Sequence, residues 1–305
     1  MLAGISVLSL LLGTAITVIL SGNIVRPVNA LSTAMQRVAN GDYDVKLETK
    51  SNFEIIRRVY SDFNHMIDEL NAVETLRNDF VSNVSHEFKT PLSSIEGYAM
   101  LLQDESLSAE ARSEYTERIV VSTRRLSTLV SNILMITKIE NQTMPFTLSS
   151  YRVDEQVRQS ILLLENKWSE KNIGFEMDMD SIEFCAVEGL LGNVWSNLID
   201  NAIKFSPEGE IIYISLKEKD DMLSFKIANR GEPMSGETLK RIFEKFYQGD
   251  TSHKREGNGL GLALVKKIVR VHGGSVSAVN TEDGLIEFTV NLPAKRSCER
   301  CCGSN

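Results

Sequence analysis

Cysteine is scarce in this chain, four among 305 residues. That excludes a disulfide scaffold and suits a reducing compartment. Positive charge is also short: 33 Lys and Arg against 41 Asp and Glu, a formal net charge of −8. An acidic chain is a poor general nucleic-acid binder, because phosphate backbones demand clustered cations. Apolar side chains are not lacking. With 42% hydrophobic and 24% charged residues the composition is globular, which excludes a wholly disordered chain. The length allows about two domains at ~150 residues each. One stretch lacks charge altogether: residues 1–25 hold no Asp, Glu, Lys or Arg.

Residues 2–25 are mostly Leu, Ile, Val, Ala and Gly, with Ser and Thr interspersed. About 20 apolar residues cross a hydrocarbon core of ~30 Å as a helix, so residues 1–25 read as a transmembrane helix. A signal peptide needs a basic segment ahead of the apolar one, and none precedes it. A buried core helix seldom runs this far without a charge. Arg26, Arg37 and Lys46 follow, which places the rest of the chain on the cytoplasmic side of a cell membrane, in a single- or multi-pass protein.

Arg26-Pro27 is expected to end the span, with proline in the first turn of a new helix. Val28, Leu31, Met35 and Val38 recur at helical spacing up to Asn40-Gly41-Asp42, a breaker. A second seam follows at Ile56, Val59, Phe63, Met66, Leu70 and Val73. Such seams bury against partner helices, and a parallel homodimer is the economical solution. Pro27, the Asn40-Gly41-Asp42 connector, Glu54 and Phe63-Asn64-x-Met66 resemble a HAMP linker, taken as residues 26–75; an ordinary coiled-coil stalk is the alternative. Phe80 and Val84 keep the rhythm into a further helix, and Leu126, Leu129, Ile133 and Ile136 repeat it after the polar segment 103–110. This predicts a helical hairpin over residues 76–142, two copies of which make a four-helix bundle.

Of the four histidines, His86 stands apart for its neighbours, Ser85-His86-Glu87-Phe88-Lys89-Thr90-Pro91-Leu92. A neutral imidazole is a nucleophile near neutral pH, and Glu87 can take its other proton. Thr90 shares the face of His86 one turn on. Pro91 removes the partner of the Glu87 carbonyl and is expected to kink the helix. The octet resembles the H-box of sensor histidine kinases. The resemblance implies that His86 accepts phosphate, that Glu87 acts as base, and that Glu87 and Thr90 support dephosphorylation of a response regulator.

From about residue 146 the pattern changes. Strand-like runs occur at 175–179, 211–217, 223–228, 275–280 and 286–292, and helical stretches near 153–171, 188–204 and 260–272, predicting an α/β sandwich over 146–293. Asn197 and Asn201 share a helix face with Lys204. Amide oxygens can ligate Mg²⁺, which takes few protein ligands, and a lysine is a point charge for phosphate. Gly257-Asn258-Gly259-Leu260-Gly261 then leads into a helix, where backbone N–H groups can approach an anion. It has neither the Lys-Ser/Thr of a P-loop nor the context of a dinucleotide fingerprint. Together with Phe243-Glu244-Lys245-Phe246-Tyr247 these segments resemble the catalytic ATP-binding domain of the same kinases, which shares its fold with gyrase and Hsp90-type ATPases. The resemblance implies Asn201 on Mg²⁺, Asn197 and Lys204 on the nucleotide, Gly257, Gly259, Leu260 and Gly261 around its phosphates, and residues 248–256 as a mobile lid. It also puts Asn229 and Gly231 at the adenine, in a first glycine box that departs from the family's Asp-x-Gly-x-Gly: Asn229 stands for the aspartate and Pro233 for the second glycine. Gly284-Leu285-Ile286 likewise lacks the usual Gly-Thr.

Trp195 and Leu198 are expected in the core, Asp200 toward solvent, and His272 as a helix-end cap. Cys298-x-x-Cys301-Cys302 in the tail 294–305 is read as a tail rather than a metal site. The whole predicts a membrane-bound, homodimeric, ATP-dependent histidine kinase whose partner is a cytoplasmic response regulator. A phosphatase-dominant enzyme and a non-catalytic membrane adaptor are the alternatives.

Overall fold

The computed structural model describes residues 2–48, 53–141, 147–249 and 257–294. His253 with most of segment 248–256, and the tail cysteines Cys298, Cys301 and Cys302, lie outside the described residues. The chain divides into two compact units, Met1–Val84 and Ser85–Asn305.

In the first unit, helix α1 (Leu2–Leu20) passes through a π turn (Ser21–Val25) into α2 (Arg26–Ala39). The chain therefore does not begin a new helix at Arg26-Pro27. Val25, where a cap would stand, is itself helical at φ −67° and ψ −45°. Pro27 has no N–H and its ring crowds the carbonyl one turn back; a widened turn directly upstream accommodates both. The described run Gly4–Ala39 is long and apolar enough to cross a membrane by length and composition.

α2 stops at Asn40, and Gly41 turns the chain at φ +88°, a conformation that favours glycine. Arg37 bonds Asp42 across this turn at 2.7 Å. The extended connector is then held by Asn64 of helix α3 (Glu54–Leu101), which accepts from Leu47 N at 2.9 Å and donates to Leu47 O at 2.8 Å. Ala34, Val45, Phe63 and Ile67 bury together, with Leu31, Val38, Tyr43 and Leu47 around them. The face used inside the chain is thus Tyr60, Phe63 and Ile67. Of the expected seam, Val59, Met66, Leu70 and Val73 stay exposed.

In the second unit α3 runs through Pro91 without a break and meets α4 (Ala109–Glu140) in an antiparallel hairpin. The Tyr98 and Tyr115 rings lie 5.6 Å apart and Arg125 reaches Glu87 at 3.6 Å. Ser108 caps α4, its hydroxyl accepting from Ala111 N. α4 is also long and apolar enough to span a bilayer, but its Leu129, Ile136 and Ile139 are buried in the same core as the α/β domain.

That domain runs β1 (Ser149–Arg152), α5 (Val153–Leu162), α6 (Glu165–Glu170), β2 (Gly174–Met179), β3 (Glu183–Ala186), α7 (Glu188–Phe205), β4 (Ile211–Lys219), β5 (Met222–Arg230), α8 (Gly236–Arg241), α9 (Gly261–Val271), β6 (Ser275–Asn280) and β7 (Leu285–Pro293). Five strands form a mixed sheet in the order β2-β4-β5-β7-β6, parallel only between β2 and β4. Alternate residues Ile212, Ile214 and Leu216, Leu223, Phe225 and Ile227, and Ile286, Phe288, Val290 and Leu292 bury, as a one-faced antiparallel sheet requires. The two-stranded sheet β1-β3 and the short α8 were not expected from the sequence, and the stretch near 153–171 is two helices rather than one. The break lets Trp168 turn back and donate to Ile161 O at 3.0 Å.

Buried Asp154 staples the start of the domain. Arg152 holds both its oxygens (2.8 and 2.7 Å), Arg158 adds a bond of 2.7 Å, and Ile182 N donates at 3.2 Å. Led by the Arg152 hydrogen bonds, these partners hold the carboxyl well below the usual range.

Candidate active site

α7 carries most of the residues expected at the nucleotide, and its sequence decides which way they face. Leu190, Leu191, Val194, Trp195, Leu198, Ile199, Ala202 and Ile203 all bury, a stripe at helical spacing. Asn193, Asn197, Asn201 and Lys204 are left on the flank. Asp200 points elsewhere and pairs with Lys167 at 2.5 Å. Trp195 and Leu198 are fully buried, and the indole N–H of Trp195 donates to Gln156 Oε1 at 2.9 Å.

Two close approaches bring the glycine turn to this flank. The amide nitrogen of Asn197 donates to Asn193 O at 2.7 Å, and a Cβ built on Gly261 would stand 2.6 Å from Asn197 Oδ1. A Cβ on Gly257 would stand 2.8 Å from Lys204 Nζ. Gly259, at φ +64°, lies so close to Phe246 that a Cβ would be 2.6 Å from its carbonyl carbon, and Phe246 N donates to Gly259 O at 2.9 Å. Gln248 Nε2 donates to Gly257 O at 2.9 Å, joining the described residues on either side of 250–256. Glycine at these positions leaves main-chain N–H groups and the N-terminus of α9 open beside an ammonium group, an anion site by charge and geometry. Leu260 takes part through its main chain only, since its side chain is fully buried.

Asn229 closes the other side of α7. It is buried at the end of β5, and its Nδ2 donates to Arg230 O at 3.0 Å. With the amide nitrogen used on that carbonyl, Oδ1 is the acceptor that Asn229 can offer. Gly231 fits tightly beside it: a Cβ there would be 3.1 Å from Ile286 Cδ1 and 3.4 Å from Phe205 O.

The residues of the expected phosphoacceptor motif lie on α3. His86 is exposed, and Thr90 Oγ1 donates back to its carbonyl at 3.4 Å. Glu87 is half-buried against Arg125. Phe88 packs on the core shared with the α/β domain. Among the described residues no hydrogen bond or ion pair links His86 to the nucleotide side.

Several supporting residues gave no motif to read. Lys171 Nζ donates to the carbonyls of Ile203, Lys204 and Ser206 at 3.0, 2.9 and 3.1 Å and so closes the last turn of α7. Gln156 Nε2 donates to Glu188 O at 2.7 Å at its first turn. His272 is more than the expected cap: Nδ1 meets Ile268 O at 2.9 Å and Nε2 accepts from Val187 N at 3.3 Å, tying α9 to the residue before α7. Glu140 of α4 receives Lys245 at 2.9 Å and Lys267 at 3.6 Å.

Known proteins repeat this arrangement in order. The HAMP domain family matches residues 19–72, the His Kinase A (phospho-acceptor) domain 76–142, and the histidine kinase-, DNA gyrase B- and HSP90-like ATPase family 186–296. The heme sensor protein HssS of Staphylococcus aureus strain JH9 is 33% identical over 288 residues, 94% of this chain and 62% of the relative; strain MSSA476 gives the same figures. The chain thus spans about three fifths of the length of the curated relatives it matches. Among solved structures, full-length ShkA in complex with AMPPNP is 27% identical with a TM-score of 0.55, over 72% of this chain and 46% of that one. Acinetobacter baumannii AdeS, at 22% identity, shares the fold with a TM-score of 0.57 over 69% of this chain and 98% of that one. Histidine kinase ThkA, solved with the response regulator TrrA, does so at 23% identity and a TM-score of 0.59, over 74% of this chain and 64% of that one. With the three domains in this order along one chain, and relatives that match nearly its whole length, the protein belongs to the sensor histidine kinases.

Proposed function

We propose that the chain phosphorylates itself on His86 from Mg-ATP and passes the phosphoryl group to an aspartate of a response regulator. The observation that carries this reading is the meeting of Asn197, Lys204 and the Gly257–Gly261 turn at the start of α9, 2.6 and 2.8 Å from built glycine side chains. There the triphosphate lies on main-chain N–H groups, with Lys204 on its charge. Asn201, on the Asn197 face, offers a hard amide oxygen for Mg²⁺, which when bound neutralises phosphate charge. Asn201 would be the protein's ligand to the ion, with phosphate oxygens and water supplying the rest. Asn229 Oδ1 accepts from the adenine amine.

A ring nitrogen of His86 forms the bond to the γ-phosphorus as the bond to the β,γ-bridging oxygen breaks and ADP leaves. Glu87 takes the proton from the other ring nitrogen. Positioning and charge neutralisation supply most of the rate in such transfers. The phosphoryl group then moves to the regulator, and Thr90, one turn from His86, orients a water that hydrolyses the regulator's aspartyl phosphate to the free carboxylate and inorganic phosphate. The captured ThkA–TrrA complex supports a regulator as partner. α1 anchors the chain in the membrane, and the exposed Val59, Met66, Leu70 and Val73 stripe supports a homodimer.

Labelled ATP tests the reading. His86→Gln is expected to incorporate no phosphate while His65→Gln keeps parental incorporation, and Thr90→Ala is expected to autophosphorylate but lose most regulator dephosphorylation. Label retained on His86→Gln would remove the nucleophile assignment.

A further inference from the structure

The chain leaves β5 at Arg230 and enters α8 at Gly236 through residues 231–235, which have no regular secondary structure. Pro233, in the middle, has no N–H to offer. The loop is pinned by a side chain from two strands away. Asn280, the last residue of β6, donates Nδ2 to Met234 O at 2.7 Å and accepts Met234 N–H on Oδ1 at 3.1 Å. One carboxamide satisfies both main-chain groups of one residue, as a neighbouring strand would.

The register shows what this pin holds in place. Asn280 pairs with Ile286 of β7, and Ile286 pairs with Asn229 of β5, so the three stand in one row across the sheet and face the same side. The loop starts beside Asn229, passes so close to Ile286 at Gly231 that a Cβ would stand 3.1 Å from Ile286 Cδ1, and is fixed at Met234 over Asn280. The Met234 side chain packs on the domain core. The segment that carries Gly231 therefore has two fixed ends: strand β5 on one side and Asn280 on the other.

We propose that Asn280 is a positioning residue for the base end of the nucleotide pocket, holding loop 231–234 against Asn229 and Gly231. This rests on the reading of those two residues as the adenine side. It also accounts for a proline where the family has a glycine: with the loop clamped from outside, it needs no free φ at residue 233. Asn280 sits exposed on an edge strand and touches no phosphate-side residue, so its effect is confined to base binding.

The experiment uses the full chain in detergent, with ATP and ADP titrations, autophosphorylation kinetics and a thermal midpoint without nucleotide. Asn280→Ala is expected to raise the Kd of ATP and of ADP by the same factor, about tenfold for two lost hydrogen bonds. KM for ATP should rise with it, while kcat at saturation and the midpoint stay at parental values. Asn280→Asp keeps the acceptor for Met234 N–H but sets a second oxygen against Met234 O, and should fall between parent and Asn280→Ala. A parent that binds ATP beside an Asn280→Ala that binds it equally well overturns the proposal, as does a loss of affinity matched by a fall in the midpoint. A parent that binds neither nucleotide overturns the nucleotide-site reading itself, and this inference with it.

Discussion

At the scale of single residues, the glycine turn works by what it leaves out, and two of its positions do so for different reasons. At Gly261 an added Cβ meets the far end of a side chain, Asn197 Oδ1, at 2.6 Å. The side chain can swing away, so the fold survives, but the swing takes Asn197 from the position proposed for it on the nucleotide. Gly261→Ala is expected to leave the thermal midpoint nearly unchanged and to weaken ATP binding by about tenfold or more. At Gly259 the obstacle is the main chain of Phe246, also at 2.6 Å, and φ is +64°. Neither can yield cheaply, so Gly259→Ala is expected to cost about 2–3 kcal/mol of domain stability. Calorimetry of the two variants beside ATP titration separates them.

Elements are held at their ends by side chains distant in sequence. The C-terminus of α7 presents its carbonyls to the Lys171 ammonium. Lys171→Met keeps the aliphatic stem and loses the charge-assisted bonds, and chemical denaturation should show a loss of about 2 kcal/mol. The junction of β1 and α5 depends on Asp154. Its folded carboxyl titrates below the unfolded one, so its stabilising effect is present above about pH 4, the unfolded value, and disappears as pH falls further toward the folded value. Thermal midpoints of the parent should therefore decline below about pH 4 more steeply than those of Asp154→Asn, and Asp154→Ala should lose about 3 kcal/mol at neutral pH. Equal slopes in parent and Asp154→Asn would assign the acid sensitivity to other carboxylates.

Over the whole molecule, the question is how each apolar stripe finds cover. On α3, Phe63 and Ile67 are covered within the chain, whereas Met66 and Leu70 are not. An exposed stripe beside a buried one, on a helix of 48 residues, matches a second copy rather than solvent. Leu70→Glu should weaken dimerisation in detergent by at least about tenfold, since it places like charges across the pair, while leaving the protomer core of Ala34, Val45, Phe63 and Ile67 intact. Sedimentation equilibrium measures the first effect and circular dichroism the second.

Local structure was readable without coordinates wherever one spacing of residue types dictated one conformation. The placing of Asn197, Asn201 and Lys204 on one helix flank and of the glycine turn just ahead of a helix are of this kind, and the buried stripe of α7 could be read from its period. Only the tertiary structure could decide what depends on residues far apart in the chain. The two asparagine clamps are instances: Asn64 on Leu47 and Asn280 on Met234 span 17 and 46 residues, and nothing in the sequence around an asparagine tells which main-chain groups it will meet. The same holds for Lys171, for the short β1 and β3 strands, which exist only by pairing with each other, and for the helix that runs on through Pro27. A propensity describes a residue among its neighbours, whereas a hydrogen bond or a covered face is a property of two segments, and folding alone brings them together.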